Sequence, residues 1–349
     1  MSKSGLHEAL AQAQKAYSAA YCLHPAAPNG CKGRIIKAHS VQRSGALTRL
    51  AAQGLVYTLQ REPGPELMSQ PFPMEPRLVS VSKASTFTGF CGVHDAELFR
   101  PIEKQPLRET LEHAFLLHYR SVCREFFSAR CALASIAPMK ERVRRWPDAS
   151  RQQLVGSLLS QWEQVVSYNV AQLTAEKQRL DGMLQRADYS NLGCLFISFA
   201  SVPEIVCSGY FAPEYDMNGK RVQLLDERAE RGESVDTIAF SVLPTGADSG
   251  AAVLTWLDSM VGSSQFACSL ADNGNLDVPN AIVRLIFEYI ENAFFAPLWW
   301  DNLPSASQRR LMLTFATGTF NRNLRPAEVV HDRLSYVQWN HVRPVRVKN

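Results

Sequence analysis

Four residues in the first hundred have the types and the grouping to hold a soft metal: Cys22, Cys31, Cys91 and His94. A structural zinc site takes four thiolate or imidazole ligands at tetrahedral geometry, and they usually arrive as two close pairs. Cys91 and His94, with two residues between them, form one such pair at the start of an expected helix. Cys22 and Cys31, with a loop of eight residues between them, form the other. His24 and His39 lie in the same segment, and either could supply the fourth ligand in place of His94. The remaining cysteines, Cys123, Cys131, Cys194, Cys207 and Cys268, sit among apolar residues and read as small buried hydrophobes. Eight cysteines in 349 residues are too sparse for a disulfide scaffold, so the thiols are expected to be reduced and available to a metal.

The same segment is the basic part of the chain. From Ala9 to Arg61 there is no acidic residue, while Lys15, Lys32, Arg34, Lys37, Arg43, Arg49 and Arg61 supply seven positive charges. The formal net charge is only +4, so the rest of the chain is slightly acidic. Positive charge concentrated on one small module is the electrostatic footprint of a phosphate-backbone binder, and it is also compatible with a solvated face that holds no ligand.

These residues need elements to position them. Residues 1–20 read as a helix, 21–29 as a turn-rich loop and 33–39 as a short strand. Pro63, Pro65, Pro71, Pro73 and Pro76 make an extended loop, since each fixes φ and removes a backbone donor. Residues 90–103 read as a knuckle entering a short helix that Pro101 stops. A small lobe so poor in regular structure needs a staple. Residues 107–136 and 149–187 carry apolar side chains at helical spacing, Leu111, Phe115, Val122 and Phe126 in the first and Leu154, Leu158, Trp162 and Val165 opening the second. Helices of that length require partners: each other, the last part of the chain, or a second copy. Beyond Asn191 the composition turns to β, with strands expected at 194–200, 204–210, 221–225, 237–243 and 251–257, a hairpin turn at Asn218-Gly219, and helices at 278–295 and 305–315. The fold class expected is α+β. An N-terminal zinc-stapled module (21–105) is followed by a helical spacer (106–187) and by an antiparallel sheet with helices (188–349) that would sense a partner or set oligomeric state.

In its order of parts, the stretch from about residue 20 to 105 resembles the treble-clef HNH nucleases, whose zinc-bearing ββα-metal module combines a two-cysteine knuckle, a strand ending in a histidine, an asparagine, and a second cysteine pair followed at once by a metal-ligating histidine on the helix. Cys22 and Cys31 match the first knuckle, Arg34 to His39 the strand with its terminal histidine, and Cys91 and His94 the second pair. The resemblance implies that His39 is the general base that takes a proton from water. It also implies that Asp95 helps to hold a catalytic Mg²⁺ or Mn²⁺, and that Lys32, Arg34, Lys37, Arg43 and Arg49 grip phosphates. Ala38 stands where family members often carry an acidic or histidine ligand, and residues 84–89 offer hydroxyls where they carry an asparagine. The function implied is metal-dependent hydrolysis of phosphodiester bonds in nucleic acid, DNA first among the candidates, in a restriction or anti-phage setting. Two alternatives stand beside it: a non-catalytic zinc-containing nucleic-acid binder, and a regulatory or assembly subunit in which the aromatic cluster at 294–300 meets another protein.

Other chemistries find no support. There is no Gly-rich phosphate loop, no Gly-x-Ser-x-Gly elbow and no histidine pair at metalloprotease spacing. No apolar stretch approaches the roughly 20 residues needed to cross a bilayer. The N-terminus lacks the apolar core of a secretory signal, and a cytoplasmic location away from membranes is expected.

Overall fold

The computed structural model describes residues 19–60, 75–320, 332–340 and 344–347. Nearly all of the expected N-terminal helix, Lys15, Arg61 and the prolines at 63, 65, 71 and 73 fall outside the described residues. The architecture is mixed α and β, with antiparallel sheets and long helices.

Strand β1 (Ile35–His39) leads through a helical turn over 43–50 to β2 (Leu55–Thr58), β3 (Arg77–Ser80) and β4 (Thr86–Cys91). β1 and β4 pair antiparallel, with Ile35 opposite Cys91 and His39 opposite Thr86, and the register shifts between Ile36 and Ala38. β4 runs directly into α1 (Gly92–Leu98), which is followed by α2 (Arg100–Lys104). Pro101 therefore does not stop a helix. It sits in the first turn of a new one, where its missing N–H would have had no partner in any case.

α3 (Leu111–Val143) and α4 (Ala149–Arg186) form a long hairpin packed along each other. Their starts are capped by side chains: the Thr110 hydroxyl accepts the His113 N–H and the Asp148 carboxylate accepts the Arg151 N–H. α3 runs past the expected end at 136 and carries Pro138 in its interior. Phe115, Tyr119 and Val122 on α3 and Leu180 on α4 are fully buried, each worth roughly 1.5–3 kcal/mol of transfer free energy. At its N-terminal end α4 leaves Leu154, Leu158, Trp162 and Val165 exposed among the described residues.

The remaining strands are β5 (Leu192–Phe199), β6 (Ile205–Phe211), β7 (Ile238–Pro244), β8 (Gly250–Leu257), β9 (Ala293–Phe295) and β10 (Val345–Val347). Helices α5 (Leu225–Glu230), α6 (Val261–Asp272), α7 (Val278–Tyr289), α8 (Pro297–Asn302) and α9 (Ser305–Phe320) lie between and after them. Eight strands form one antiparallel sheet in the order β10-β5-β8-β7-β6-β9-β2-β3. α3 packs across β5 to β8, and the continuous core lies between them.

Three expectations are corrected by this topology. β2 and β3, expected within a separate N-terminal module, extend the large sheet, with Tyr57 opposite Phe295 and Thr58 opposite Phe294. A boundary at 105 therefore cuts through the sheet. Residues 221–225 are not a strand: only an isolated bridge joins Tyr215 to Arg221, because the Asp216 carboxylate accepts the N–H groups of Asn218 and Lys220 and folds the chain locally. The helix expected over 278–295 ends at Tyr289, and Phe294 and Phe295 become strand residues buried between β6 and β2.

Candidate metal centre and the adjoining cavity

Three pieces of backbone bring the four proposed ligands together. Residues 21–23 run beside β4, with the Tyr21 N–H donating to the Thr88 carbonyl at 3.2 Å and the Leu23 N–H to the Gly89 carbonyl at 2.9 Å, which sets Cys22 at the mouth of the β1–β4 pair. A tight turn returns the chain to Cys31, held by the Gly30 N–H donating to the Ala26 carbonyl at 2.7 Å. A Cβ on Gly30 would lie 2.9 Å from that oxygen, so the turn closes only around glycine. Cys91 is the last residue of β4 and caps α1, its sulfur accepting the His94 N–H, which puts His94 one turn into the helix on the same side.

The Sγ atoms of Cys22, Cys31 and Cys91 and a ring nitrogen of His94 all lie within 4.8 Å of one another. His94 Nδ1 is 3.4 Å from Cys22 Sγ and 3.8 Å from Cys31 Sγ. Around a tetrahedral ion with bonds of about 2.3 Å to sulfur and 2.0–2.1 Å to nitrogen, neighbouring ligand atoms stand roughly 3.5–3.8 Å apart. The donor set and its spacing therefore suit a metal such as zinc. Electrostatics point the same way. Burial and the neighbouring Cys22 thiol push the Cys31 thiol up to about 11. Burial also opposes ionisation of Cys91, but the backbone N–H of His94 and contacts from Cys31 and Cys22 outweigh it and lower the thiol below its ordinary value. Several thiolates crowded into one spot repel each other unless a cation lies between them. His24 stacks on His94, ring centroids 3.9 Å apart, but is not one of the converging ligands; its Nδ1 accepts the Ala26 N–H. Neither His24 nor His39 replaces His94.

His39, at the end of β1, lines a separate cavity of about 360 Å³ together with Lys37, Arg43, Asp95, Glu103 and Lys104. Burial lowers its pKa below the ordinary histidine value, with the nearby Val81 backbone offsetting part of that effect. Its Nε2 is screened from bulk water and has no hydrogen-bond partner among the described residues. Asp95 is pushed up to about 6, chiefly by burial, with Arg120 lowering it and Glu103 raising it. Glu103 accepts from Arg120 at 2.7 Å, and the Arg120 guanidinium lies 4.0 Å over the Phe99 ring. Among the described residues the Cys/His group is the one set of three or more potential metal ligands that converges, and His39, Asp95 and Glu103 do not make a second. They do not form a ready cage for Mg²⁺ or Mn²⁺.

The five basic candidates separate. Lys37 and Arg43 border the His39 cavity, whereas Lys32 and Arg34 are exposed outside it. Arg49 donates to the Gly246 carbonyl in the β7–β8 turn, away from His39. Glu103, Lys104 and Arg120 border or adjoin the cavity without having been singled out in the sequence. Reading Pro101 as the first turn of a new helix would have placed the first two beside Asp95. Comparison of the chain with protein-family models, with characterised proteins and with solved structures finds no match.

Proposed function

We propose that residues 21–105 form a zinc-stapled, treble-clef-like centre of the HNH nuclease type, and that the protein hydrolyses phosphodiester bonds in nucleic acid with His39 as general base. The observation that carries this reading is the separation of two roles. Cys22, Cys31, Cys91 and His94 converge on one point, while His39 lies apart from them with an unpartnered Nε2, in a cavity bordered by Lys37, Arg43 and Lys104. Had His39 been the fourth zinc ligand, its nitrogen would have been consumed.

In this reading the substrate opens the cavity around His39, and Nε2, screened in the free protein, removes a proton from a water drawn in beside the scissile phosphate. The water oxygen forms a bond to phosphorus, the bond to the leaving oxygen breaks, and that oxygen takes up a proton from solvent. Lys37, Arg43 and Lys104 draw the polyanion to the cavity. Because the carboxylates do not preform a divalent-ion cage, no step depends here on such an ion. Plasmid and single-stranded substrates incubated with wild type and His39→Ala, with and without Mg²⁺ or Mn²⁺, test the proposal. Cleavage by wild type that His39→Ala loses supports it; equal activity in both, or none in either, removes it.

A second reading is favoured by the absence of a second converging ligand set among the described residues: a zinc module that binds nucleic acid through Lys32, Arg34, Lys37 and Arg43 without cutting it. It gives strongly salt-dependent binding and no cleavage in the same assay.

A further inference from the structure

The strand end that carries His39 is held by a buried polar network. Ser40, the next residue, and Ser85, across the β1–β4 pair, are 4% and 3% exposed. Their hydroxyl oxygens lie 2.6 Å apart. The Ser85 hydroxyl also accepts the Val41 N–H at 2.7 Å, and the Ser85 carbonyl accepts the Ser40 N–H at 3.0 Å. Ser85 does this from a left-handed backbone, φ +59°, which residues with side chains adopt reluctantly and keep only where their surroundings fix it.

The network continues into the large sheet. Asn292, just before β9 and 1% exposed, donates from its amide to Ser40 Oγ at 2.9 Å and to the Ser208 carbonyl on β6 at 2.6 Å. The Ser208 hydroxyl in turn lies 2.9 Å from that of Ser121 on α3. Buried polar groups add little to stability over apolar packing, but their bonds have direction, so they fix geometry. Ser40 follows directly on His39, the last residue of β1, so fixing buried Ser40 fixes the backbone from which the half-buried His39 side chain leaves.

We propose that Ser85 and Asn292 are positioning residues for His39: by binding Ser40 they lock the end of β1, so that the large sheet, 252 residues along the chain, sets the direction of the imidazole. The kinetic consequence rests on His39 being the base; the geometric claim does not. The experiment uses the full chain with ¹⁵N-labelled histidine, the His39 ring signals being assigned with His39→Gln. Two variants are compared with wild type: Asn292→Ala, and Ser85→Gly, which removes the hydroxyl while allowing the left-handed backbone. In both, the His39 ring signals are expected to shift or broaden at unchanged metal content, and kcat to fall by about 10- to 100-fold with KM within about twofold, the cost expected of a misplaced catalytic group. Ring signals in Ser85→Gly that coincide with wild type overturn the proposal, even if Asn292→Ala fails to fold. If wild type cleaves no substrate, the nuclease reading fails while the ring signals still decide this one.

Discussion

At the scale of single residues, the two candidate chemistries are kept apart by which nitrogen meets which neighbour. His94 turns Nδ1 toward two sulfurs, whereas the Nε2 of His39 has no hydrogen-bond partner among the described residues. Replacing Cys91 by serine removes a thiolate ligand while leaving a hydroxyl that can still cap α1, so metal affinity is expected to fall by more than the roughly 10–100-fold that loss of an outer partner costs. Competition with a chromogenic chelator measures it. The His39 pKa lies below its ordinary value because burial disfavours the charged ring, so the base is already neutral at pH 7. The midpoint of the acid-side decline in cleavage is therefore expected below the ordinary histidine value. The sign for stability is the same: the unfolded chain takes up the proton first, so this residue's contribution is intact above about pH 6.5 and is lost as pH falls through the lower folded value. A cleavage rate that halves near or above pH 6.5 would contradict the assignment. The cysteine and histidine groupings were legible because ligand chemistry restricts residue type and spacing. The hydroxyl of Ser85 and the amide of Asn292 were not, since nothing local relates either to Ser40.

Elements whose signals are local were read closely. α4 begins one residue after the Asp148 cap and ends at Arg186, closed by Ala187 in a left-handed backbone, φ +50°. α3 overran its expected end because tertiary packing outweighs the hydrogen bond lost at Pro138, with Val143 still buried beyond it. α6 went unread: its Gly-Ser-Ser start has low helix propensity and no side-chain cap, and burial of Phe266 and Leu270 supplies what propensity lacks. The hairpin is pinned to the sheet by a buried carboxylate. Glu176 on α4 lies 2.7 Å from His118 Nε2 on α3 and accepts from the hydroxyls of Tyr210 on β6 and Thr237 beside β7. Replacing Glu176 by alanine leaves those groups without their shared partner and is expected to cost about 3–5 kcal/mol, read by chemical denaturation. A loss below about 1 kcal/mol would mean that the hairpin is held by apolar packing alone.

Across the whole molecule, the large sheet is completed by strands from the basic N-terminal segment. β2 covers the edge of β9, and Phe294 and Phe295 are fully buried there. A fragment of residues 106–349 would expose that edge and is expected to precipitate or associate on gel filtration, whereas independent modules would leave it monodisperse. This pairing could not be read from the sequence, because it joins segments more than two hundred residues apart and neither carries a mark of the other. No described helix is long and apolar enough to cross a membrane. The claim on which the remainder depends is that the Cys/His cluster holds an ion and thereby orders the lobe bearing His39. Elemental analysis of the purified full-length chain, paired with thiol titration before and after chelation, tests it most directly. The account predicts one zinc per chain, with Cys22, Cys31 and Cys91 reacting only once the metal is stripped. Metal-free protein in which Cys22 and Cys31 react at once, with the fold intact, would contradict it.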